Sequence, residues 1–330
     1  MPHILPLKEE YRQWLQTLGF AASTVKSLPN YITELLTWLE QGGALKNHSV
    51  NDFSEEPACR GGITEANQIT AEAIQNFFIQ WKNRKNKTTG GGLSQNHVNK
   101  GITAINNFIK FLKATGKNPI HLKLEREKIQ VKIPQVLTQQ EIQSLYKATY
   151  NNSKRVNTEA YGQRDRAMLA VYYGCGLRKN EGNNLLLSDI LAEKKIICVR
   201  KGKGSKERFV PITDKGMQDI QEYINYGRKW FLEKRQKQID PNNTENKSHS
   251  DSLFINMDGK PMKEFTARIR ALKEEANITK SFSLHTFRHS IATHLLQSGM
   301  DIEQIKKFLG HVSLESTQLY THIINEANQL

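Results

Sequence analysis

The chain has 330 residues, enough for two domains that each bury a core of their own. Lysine and arginine total 47 against 33 aspartate and glutamate, which gives a formal net charge of +14. This surplus suits a polyanionic partner such as nucleic acid, although an ordinary basic protein can have the same balance. The three cysteines, Cys59, Cys175 and Cys198, form no CxxC pair, so neither a disulfide framework nor a cysteine zinc site is indicated.

The N-terminus lacks the basic segment followed by an apolar run that marks a signal peptide. No apolar run approaches the roughly 20 residues that a membrane helix needs. The small number of cysteines favours a reducing compartment. We therefore expect a soluble cytoplasmic protein without a membrane partner.

The first third of the chain begins with two predicted helices. The first spans Leu7 to Leu18. The second is capped by Ser23 and closes at Gly42-Gly43, and Pro29 inside its apolar pattern predicts either a kink or a later start. The polar, irregular residues 43–68 predict a long loop or insertion.

Two further helices complete a predicted four-helix unit. Thr70 caps the third, from Ala71 to Trp81, and Ser94 opens the fourth, which stops near Gly116. Residues 88–93, with three glycines, predict a flexible connection between them.

A charged segment with two prolines and no clear period predicts an interdomain linker at residues 119–136. It separates a first domain at 1–118 from a second at 137–330. Thr138 and Glu141 form a capping-box pattern, which marks the start of a new helix and supports this boundary.

The second domain combines helices with a small β-element. A buried helix is predicted at 164–173, and two short strands at 196–200 and 208–212 are joined by a Gly-Lys-Gly turn. Residues 242–251 predict a surface loop. The pattern from there to Tyr320 is helical.

Two basic residues lie where the chain turns. Arg178 follows Tyr-Gly-Cys-Gly-Leu, where a helix must stop, so it can project into a cleft; taken alone, a surface arginine is the commoner reading. Lys203 lies at the tip of a hairpin with five basic residues in nine, which could enter a DNA groove or be a solvated turn. No GxxxxGK[ST] pattern occurs, so a Walker phosphate loop is excluded.

His285 and Arg288 are three residues apart on a predicted helix and share one face, so both could reach one phosphate. A helix-capping histidine with a solvated arginine is the alternative. His285 and His289 have zinc-ligand spacing, but no His-Glu-x-x-His pattern or third ligand accompanies them, so we expect no metal. Further on, His311 follows a helix ended by glycine.

Tyr320 lies nine residues after His311. A lone tyrosine in a C-terminal helix usually packs against the protein core. The ordered set of basic residues before Tyr320 makes it a candidate nucleophile instead.

The order R…K…HxxR…H…Y resembles the tyrosine recombinase (integrase) family, and its Xer-type members in particular. Four stretches carry it: YGCGLRKNE, GKGSKERFVPI, SLHTFRHSIATHLL and LGHVSLESTQLYTHI. Residues 137–325 resemble the family's catalytic domain, and residues 1–118 its four-helix core-binding (SAM-like) domain. The resemblance implies a mainly α fold with a small antiparallel β-sheet.

The resemblance also implies a catalytic role for each of six residues. Tyr320 would be the nucleophile, which forms a 3′-phosphotyrosyl bond and frees a 5′-hydroxyl. Arg178 and Arg288 would bind the non-bridging oxygens of the phosphate, and His311 would donate a further hydrogen bond to it. Lys203 would be the acid that protonates the leaving oxygen, and His285 would assist proton transfer at the tyrosine. The tyrosyl ester conserves the energy of the broken bond, so no cofactor, ATP or metal is expected.

Three departures from the family pattern stand out. Asn180 replaces a frequent serine, and Gly182-Asn183-Asn184 is unusually polar, but neither change touches the six residues. The insertion at 43–68 is longer than in compact members. The ten residues after Tyr320 include Ile323 and Ile324, which could dock on a neighbouring copy.

The implied partners are double-stranded DNA and further copies of the chain. Four copies would pair two sites and exchange strands through a Holliday junction, with an accessory protein as an additional candidate partner. Chromosome dimer resolution, mobile-element integration or excision, and inversion remain open as biological settings. A tyrosine-type topoisomerase is less favoured by the hairpin and Leu-Gly-His motifs, and a catalytically silent architectural DNA-binding protein is the alternative from another class. Because the chain begins at the core-binding helices, we expect no extra arm-binding domain.

Overall fold

A computed structural model describes residues 4–42, 62–86, 90–129, 134–150, 158–200, 207–236 and 250–310. The chain divides into two compact units, Met1–Val131 and Lys132–Leu330. The predicted Gly-Lys-Gly turn and most of the predicted 43–68 and 242–251 loops lie outside the described residues. Within the described part, no helix has the length and apolar character needed to cross a membrane.

The described part of the N-terminal unit contains four α-helices. They are α1 (Leu7–Thr17), α2 (Ala22–Glu40), α3 (Ala71–Asn83) and α4 (Gln95–Ala114). The predicted caps of α3 and α4 are confirmed, since the side chains of Thr70 and Ser94 accept hydrogen bonds from the backbone N–H groups of Ala73 and His97.

The predicted start of α2 is wrong. Ser23 lies inside the helix, and the carbonyl of Ala21 already accepts from the N–H groups of Thr24 and Val25, so the first turn closes without a side-chain cap. The helix continues through Pro29, which is buried.

The N-terminal unit closes around aromatic and aliphatic side chains from all four helices. Tyr11, Phe77, Trp81 and Phe108 are at most 1% exposed. Burial of this kind contributes roughly 25 cal/mol per Å² of apolar surface, which makes it the main stabilising term here.

A segment within the predicted linker lies along α4. The side-chain amide of Asn99 donates to the carbonyl of Glu127 at 2.9 Å and accepts from its N–H at 2.8 Å. Asn106, two turns further on, makes the same pair of bonds with Leu124, both at 2.9 Å. Each amide therefore satisfies both backbone groups of one residue, and we call these four bonds the amide clamp.

The C-terminal unit combines helices with a three-stranded antiparallel sheet in its described residues. The helices are α5 (Gln139–Ala148), α6 (Thr158–Leu169), α7 (Lys179–Asn183), α8 (Asp214–Glu222), α9 (Arg228–Gln236), α10 (Thr266–Glu275), α11 (Leu284–Gln297) and α12 (Ile302–Leu309). The strands are β1 (Ile190–Leu191), β2 (Ile196–Val199) and β3 (Arg208–Pro211), in the order β1-β2-β3. The predicted fold class is confirmed, as is the capping box of Thr138 and Glu141 at the start of α5.

Two details of this unit differ from the sequence prediction. The helix predicted at 164–173 begins earlier, at Thr158, and its end widens into a π-helical turn at Ala170–Gly174. Strand β1 was not predicted, because two residues are too few to show the alternation of a strand.

The polar run after Arg178 has a structural explanation. Gly182 lies against the Tyr172 ring, where an added Cβ would be 2.5 Å from a ring carbon. The Tyr172 hydroxyl donates to the Asn183 side chain at 2.7 Å, and Asn183 donates to the carbonyl of Lys263 at 2.7 Å. This polar run therefore joins α7 to the segment before α10.

Candidate active site

Arg178 stands at the start of α7, directly after a sharp turn. Gly176 has a φ of +60°, a left-handed conformation that favours glycine, and the chain turns there out of the buried π-helical turn. The Arg178 guanidinium donates to Glu181 at 2.8 Å and to the carbonyl of Gly310 at 3.0 Å. Its side chain is 36% exposed, so the group is held in place and also faces solvent.

Arg288 reaches the same region from α11. It is 4% exposed, and its guanidinium donates to the carbonyls of Gly176 and Leu309, both at 2.6 Å. A buried guanidinium needs such partners because its charge cannot be left without acceptors. Arg288 therefore ties α11 to the turn before Arg178 and to the end of α12.

The two arginines meet at the end of α12. Arg288 binds the carbonyl of Leu309 and Arg178 binds the next one, at Gly310. Gly310 ends the helix with a φ of +66°, and His311 follows it directly in the sequence. The structure thus brings together two of the predicted site residues, which are 110 positions apart, on adjacent carbonyls.

Glu181 lies between two guanidinium groups. Its carboxylate accepts from the backbone N–H and the guanidinium of Arg178, both at 2.8 Å, and from both terminal nitrogens of Arg208 at 2.9 Å. Burial alone would raise the pKa of Glu181, but the hydrogen bonds from Arg208 and Arg178 outweigh it and lower the pKa to about 2. Glu181 is therefore ionised at neutral pH.

The cluster of Arg178, Arg208, Arg288 and Glu181 carries three positive charges and one negative charge. The three guanidinium groups are held by backbone carbonyls and by one half-buried carboxylate. Their surplus of positive charge attracts an anion of phosphate type. We call these four residues the arginine cluster.

His285 lies one turn before Arg288, at the exposed start of α11. It lines a cavity of about 350 Å³ together with the basic residues Lys179, Arg270 and Lys273. His289, one turn further along α11, is half-buried. Burial lowers its pKa to about 4, with smaller electrostatic contributions from the neighbouring His285 and Arg288 side chains. His289 is therefore neutral at physiological pH.

Lys203, His311 and Tyr320 lie outside the described residues. Among the residues that are described, no group of three or more histidine, cysteine, aspartate or glutamate side chains is arranged to hold a metal ion.

Arg208 was missed as a site residue by the sequence reasoning, which counted it only as one of five basic residues in a hairpin. Strand alternation contains the signal. Arg208 and Val210 face inward while Phe209 is 62% exposed, and an arginine on the buried face of a strand requires a carboxylate partner.

Comparison with known proteins places the chain in a family. Residues 135–326 match the model of the phage integrase family. The chain is 30% identical to a protein named tyrosine recombinase XerD from Halalkalibacterium halodurans, over 91% of this chain and 95% of that protein. It is 32% identical to tyrosine recombinase XerC from Bacillus subtilis, over 71% of this chain and 73% of that protein.

Solved structures share the fold. A Tn1549 transposon integrase in complex with a circular intermediate DNA matches with a TM-score of 0.63 and 16% identity, over 100% of both chains. The XerH site-specific recombinase bound to difH matches with a TM-score of 0.60 and 20% identity, over 93% of this chain and 78% of that one. The chain belongs to the phage integrase family, as a tyrosine-type site-specific recombinase of the Xer type. The predicted family and enzyme class are confirmed.

Proposed function

We propose that the chain cuts and rejoins duplex DNA at a specific site, through a 3′-phosphotyrosyl bond formed by Tyr320. The observation that carries this proposal is the meeting of Arg178 and Arg288 on the carbonyls of Leu309 and Gly310, just before His311 in the sequence. Two guanidinium groups in one place are the arrangement needed to hold the non-bridging oxygens of a phosphodiester as negative charge grows on them.

The remaining roles follow from chemistry and from the resemblance. Tyr320 attacks phosphorus, a bond forms between the phenolic oxygen and phosphorus, and the bond to the 5′-oxygen breaks. Lys203 gives that leaving oxygen a proton, His285 assists the loss of the phenolic proton, and His311 adds a donor to the phosphate. Each well-placed donor contributes roughly 3–4 kcal/mol to lowering a barrier of this type.

Rejoining reverses the same steps with the 5′-hydroxyl of another strand as nucleophile. Since the tyrosyl ester keeps the energy of the broken bond, neither ATP nor a metal is needed. Residues 1–118 would supply a DNA-binding domain, residues 119–136 the linker, and residues 137–330 the catalytic domain. Four copies on two paired sites would exchange strands through a Holliday junction, with an accessory protein as a further candidate partner.

The basic balance of the chain supports DNA as the partner. The net charge is +14, and the arginine cluster concentrates positive charge at the candidate site. The similar Tn1549 integrase is in complex with a circular intermediate DNA and the similar XerH recombinase is bound to its difH substrate, which supports DNA as the ligand here.

The decisive experiment is covalent trapping. A DNA site selected by the protein from a randomised duplex library is rebuilt as a nicked suicide duplex, so that cleavage releases a short strand and leaves the protein attached. We expect a protein–DNA adduct with the wild type, none with Tyr320→Phe, and equal binding by both. Selective binding without an adduct would make the chain an architectural DNA-binding protein instead.

The biological setting calls for a separate measurement. Chromosome dimer resolution predicts chromosome dimers and filamentous cells in a deletion strain, whereas mobile-element integration predicts normal division and the loss of excised circular DNA. If the chain is an inversion enzyme, the population of the deletion strain should lose one of the two orientations of the invertible DNA segment.

A further inference from the structure

Arg208 is half-buried at the edge of the sheet because its side chain is on the inward face of β3. In β3, Arg208 and Val210 face inward, and only 14% of the Arg208 side chain is exposed. Backbone pairing of β3 with β2, which joins Arg208 to Val199, fixes where the side chain starts. Because its backbone is paired in the sheet, Arg208 has a fixed position relative to the residues that it contacts.

The guanidinium of Arg208 grips Glu181 with two parallel hydrogen bonds. Both distances are 2.9 Å, the bidentate geometry that gives the strongest and most directional arginine–carboxylate contact. The same carboxylate holds the backbone and the guanidinium of Arg178. The orientation of Arg178 therefore depends on a carboxylate whose own position Arg208 sets.

The stem of Arg208 lies against the other partner of Arg178. A Cβ added to Gly310 would be 2.8 Å from the Cδ and Nε atoms of Arg208, so this stem lies directly over the glycine. The carbonyl of that same glycine accepts from Arg178 at 3.0 Å. Arg208 thus contacts both groups that hold the Arg178 guanidinium.

β2 and β3 flank the segment that contains Lys203, and Val199 and Arg208 form the last pair of the sheet before it. Within the described residues, Arg208 links α7, through Glu181, with Gly310 at the end of α12.

We propose that Arg208 is a positioning residue for DNA cleavage, which orients the Arg178 guanidinium through Glu181 and through the Gly310 turn without touching DNA. This inference rests on the proposed cleavage function. It goes beyond the six residues of the family pattern, and it explains why an arginine occupies an inward-facing strand position.

The test compares two arginines of the C-terminal unit. Arg208→Lys keeps the positive charge but loses the two-pronged contact with Glu181. Arg228→Lys is the matched control, because Arg228 is 6% exposed and its guanidinium donates to the carbonyls of Ser250 and Ser252, away from the arginine cluster. Each variant is assayed as the full chain on the nicked suicide duplex at saturating protein.

We expect the maximal cleavage rate of Arg208→Lys to fall by about 10- to 100-fold, since a displacement of about 1 Å at a reacting centre has an effect of that size. Its dissociation constant for the same DNA should stay within about twofold of the wild type. Arg228→Lys should cleave at the wild-type rate, even if its unfolding midpoint drops as much as that of Arg208→Lys.

Each other result has a definite meaning. Wild-type cleavage by Arg208→Lys would overturn the inference alone, because the wild-type adduct would still establish the cleavage function. Loss of DNA affinity instead of rate would make Arg208 a DNA ligand and also overturn it. An equal loss of cleavage rate in Arg228→Lys would show that general destabilisation explains the rate loss of Arg208→Lys, and it would overturn the positioning role. No adduct with the wild type would overturn the proposed function itself.

Discussion

The carbonyl of Gly176 accepts a hydrogen bond from the Arg288 guanidinium at 2.6 Å, across 112 positions of sequence. Gly176 is suited to this contact because its φ of +60° turns the backbone at the end of the π-helical turn. An added Cβ would lie 2.7 Å from the Cδ2 atom of Leu309, whose carbonyl is the other partner of Arg288. One glycine therefore sets the positions of both acceptors of a buried arginine.

Replacing Gly176 by alanine should weaken both the fold and the reaction. A left-handed backbone costs a non-glycine residue about 1–2 kcal/mol, and crowding in a packed core adds about 1–3 kcal/mol. We expect urea unfolding of the C-terminal unit to shift accordingly, with a large loss of cleavage. Gly299→Ala is the matched control, because its φ is +87° and, among the described residues beyond its own chain neighbours, no atom lies within 4 Å of the added Cβ. It should show the backbone cost only and keep its cleavage rate; equal cleavage by the two variants would contradict this explanation.

Arg178→Ala and Arg288→Ala should separate catalysis from stability. Both variants should lose at least about 100-fold in cleavage, because each removes a donor to the phosphate. Only Arg288→Ala should also destabilise the C-terminal unit, since the buried carbonyls of Gly176 and Leu309 would lose their donor at about 1–3 kcal/mol each. Adduct formation and urea unfolding measure the two effects. A severe loss of DNA binding by Arg178→Ala would contradict its assigned role at the phosphate.

The stability of the C-terminal unit should decrease as the pH falls from about 6.5 to 4. The pKa of His289 is lowered to about 4 in the folded chain, chiefly by burial. In the unfolded chain a histidine titrates near 6.5, so in this window the unfolded state binds a proton that the folded state does not, and acid favours unfolding. His289→Gln should reduce this dependence, as measured by urea unfolding at a series of pH values. The same slope in both proteins would rule out His289 as a source.

The stability of the amide clamp should depend on the amide nitrogen of Asn99. Asn99→Asp replaces the amide that donates to the carbonyl of Glu127 with a carboxylate oxygen, which would face that carbonyl without a hydrogen. We expect about 1–3 kcal/mol of destabilisation and faster proteolysis within residues 120–129. Asn107→Asp is the control, because in the described part of the chain the Asn107 side chain donates within α4, to the carbonyl of Thr103. Equal proteolysis of both variants would show that the clamp does not hold this segment.

DNA affinity should fall steeply with salt. When the logarithm of the association constant is plotted against the logarithm of the salt concentration, the slope should be about −0.9 for each neutralised phosphate, because binding releases condensed counterions. Arg178→Ala should reduce the slope by at most about one phosphate. Titrations of labelled duplex over a range of sodium chloride concentrations measure this, and a flat response would contradict a basic DNA-binding surface.

Several elements were predictable because their signals are local. Thr70, Ser94 and the Thr138–Glu141 box were found from sequence, since a cap acts within three residues. The predicted Ser23 cap was wrong, although it rested on a local signal as well. Serine favours N-caps in general, but the turn before α2 already satisfies the first N–H groups through the carbonyl of Ala21.

The sequence by itself determined the family and the set of reactive side chains, because the order and spacing of R, K, HxxR, H and Y are properties of the linear chain. Only the tertiary structure decided which of these groups meet. Arg178 binds the carbonyl of a residue 132 positions away, and the function of Arg208 depends on a strand register and on a glycine that leaves room for its stem. Such contacts depend on the path of the folded chain, which brings distant backbone carbonyls to the arginines, and no local pattern of residues specifies that path.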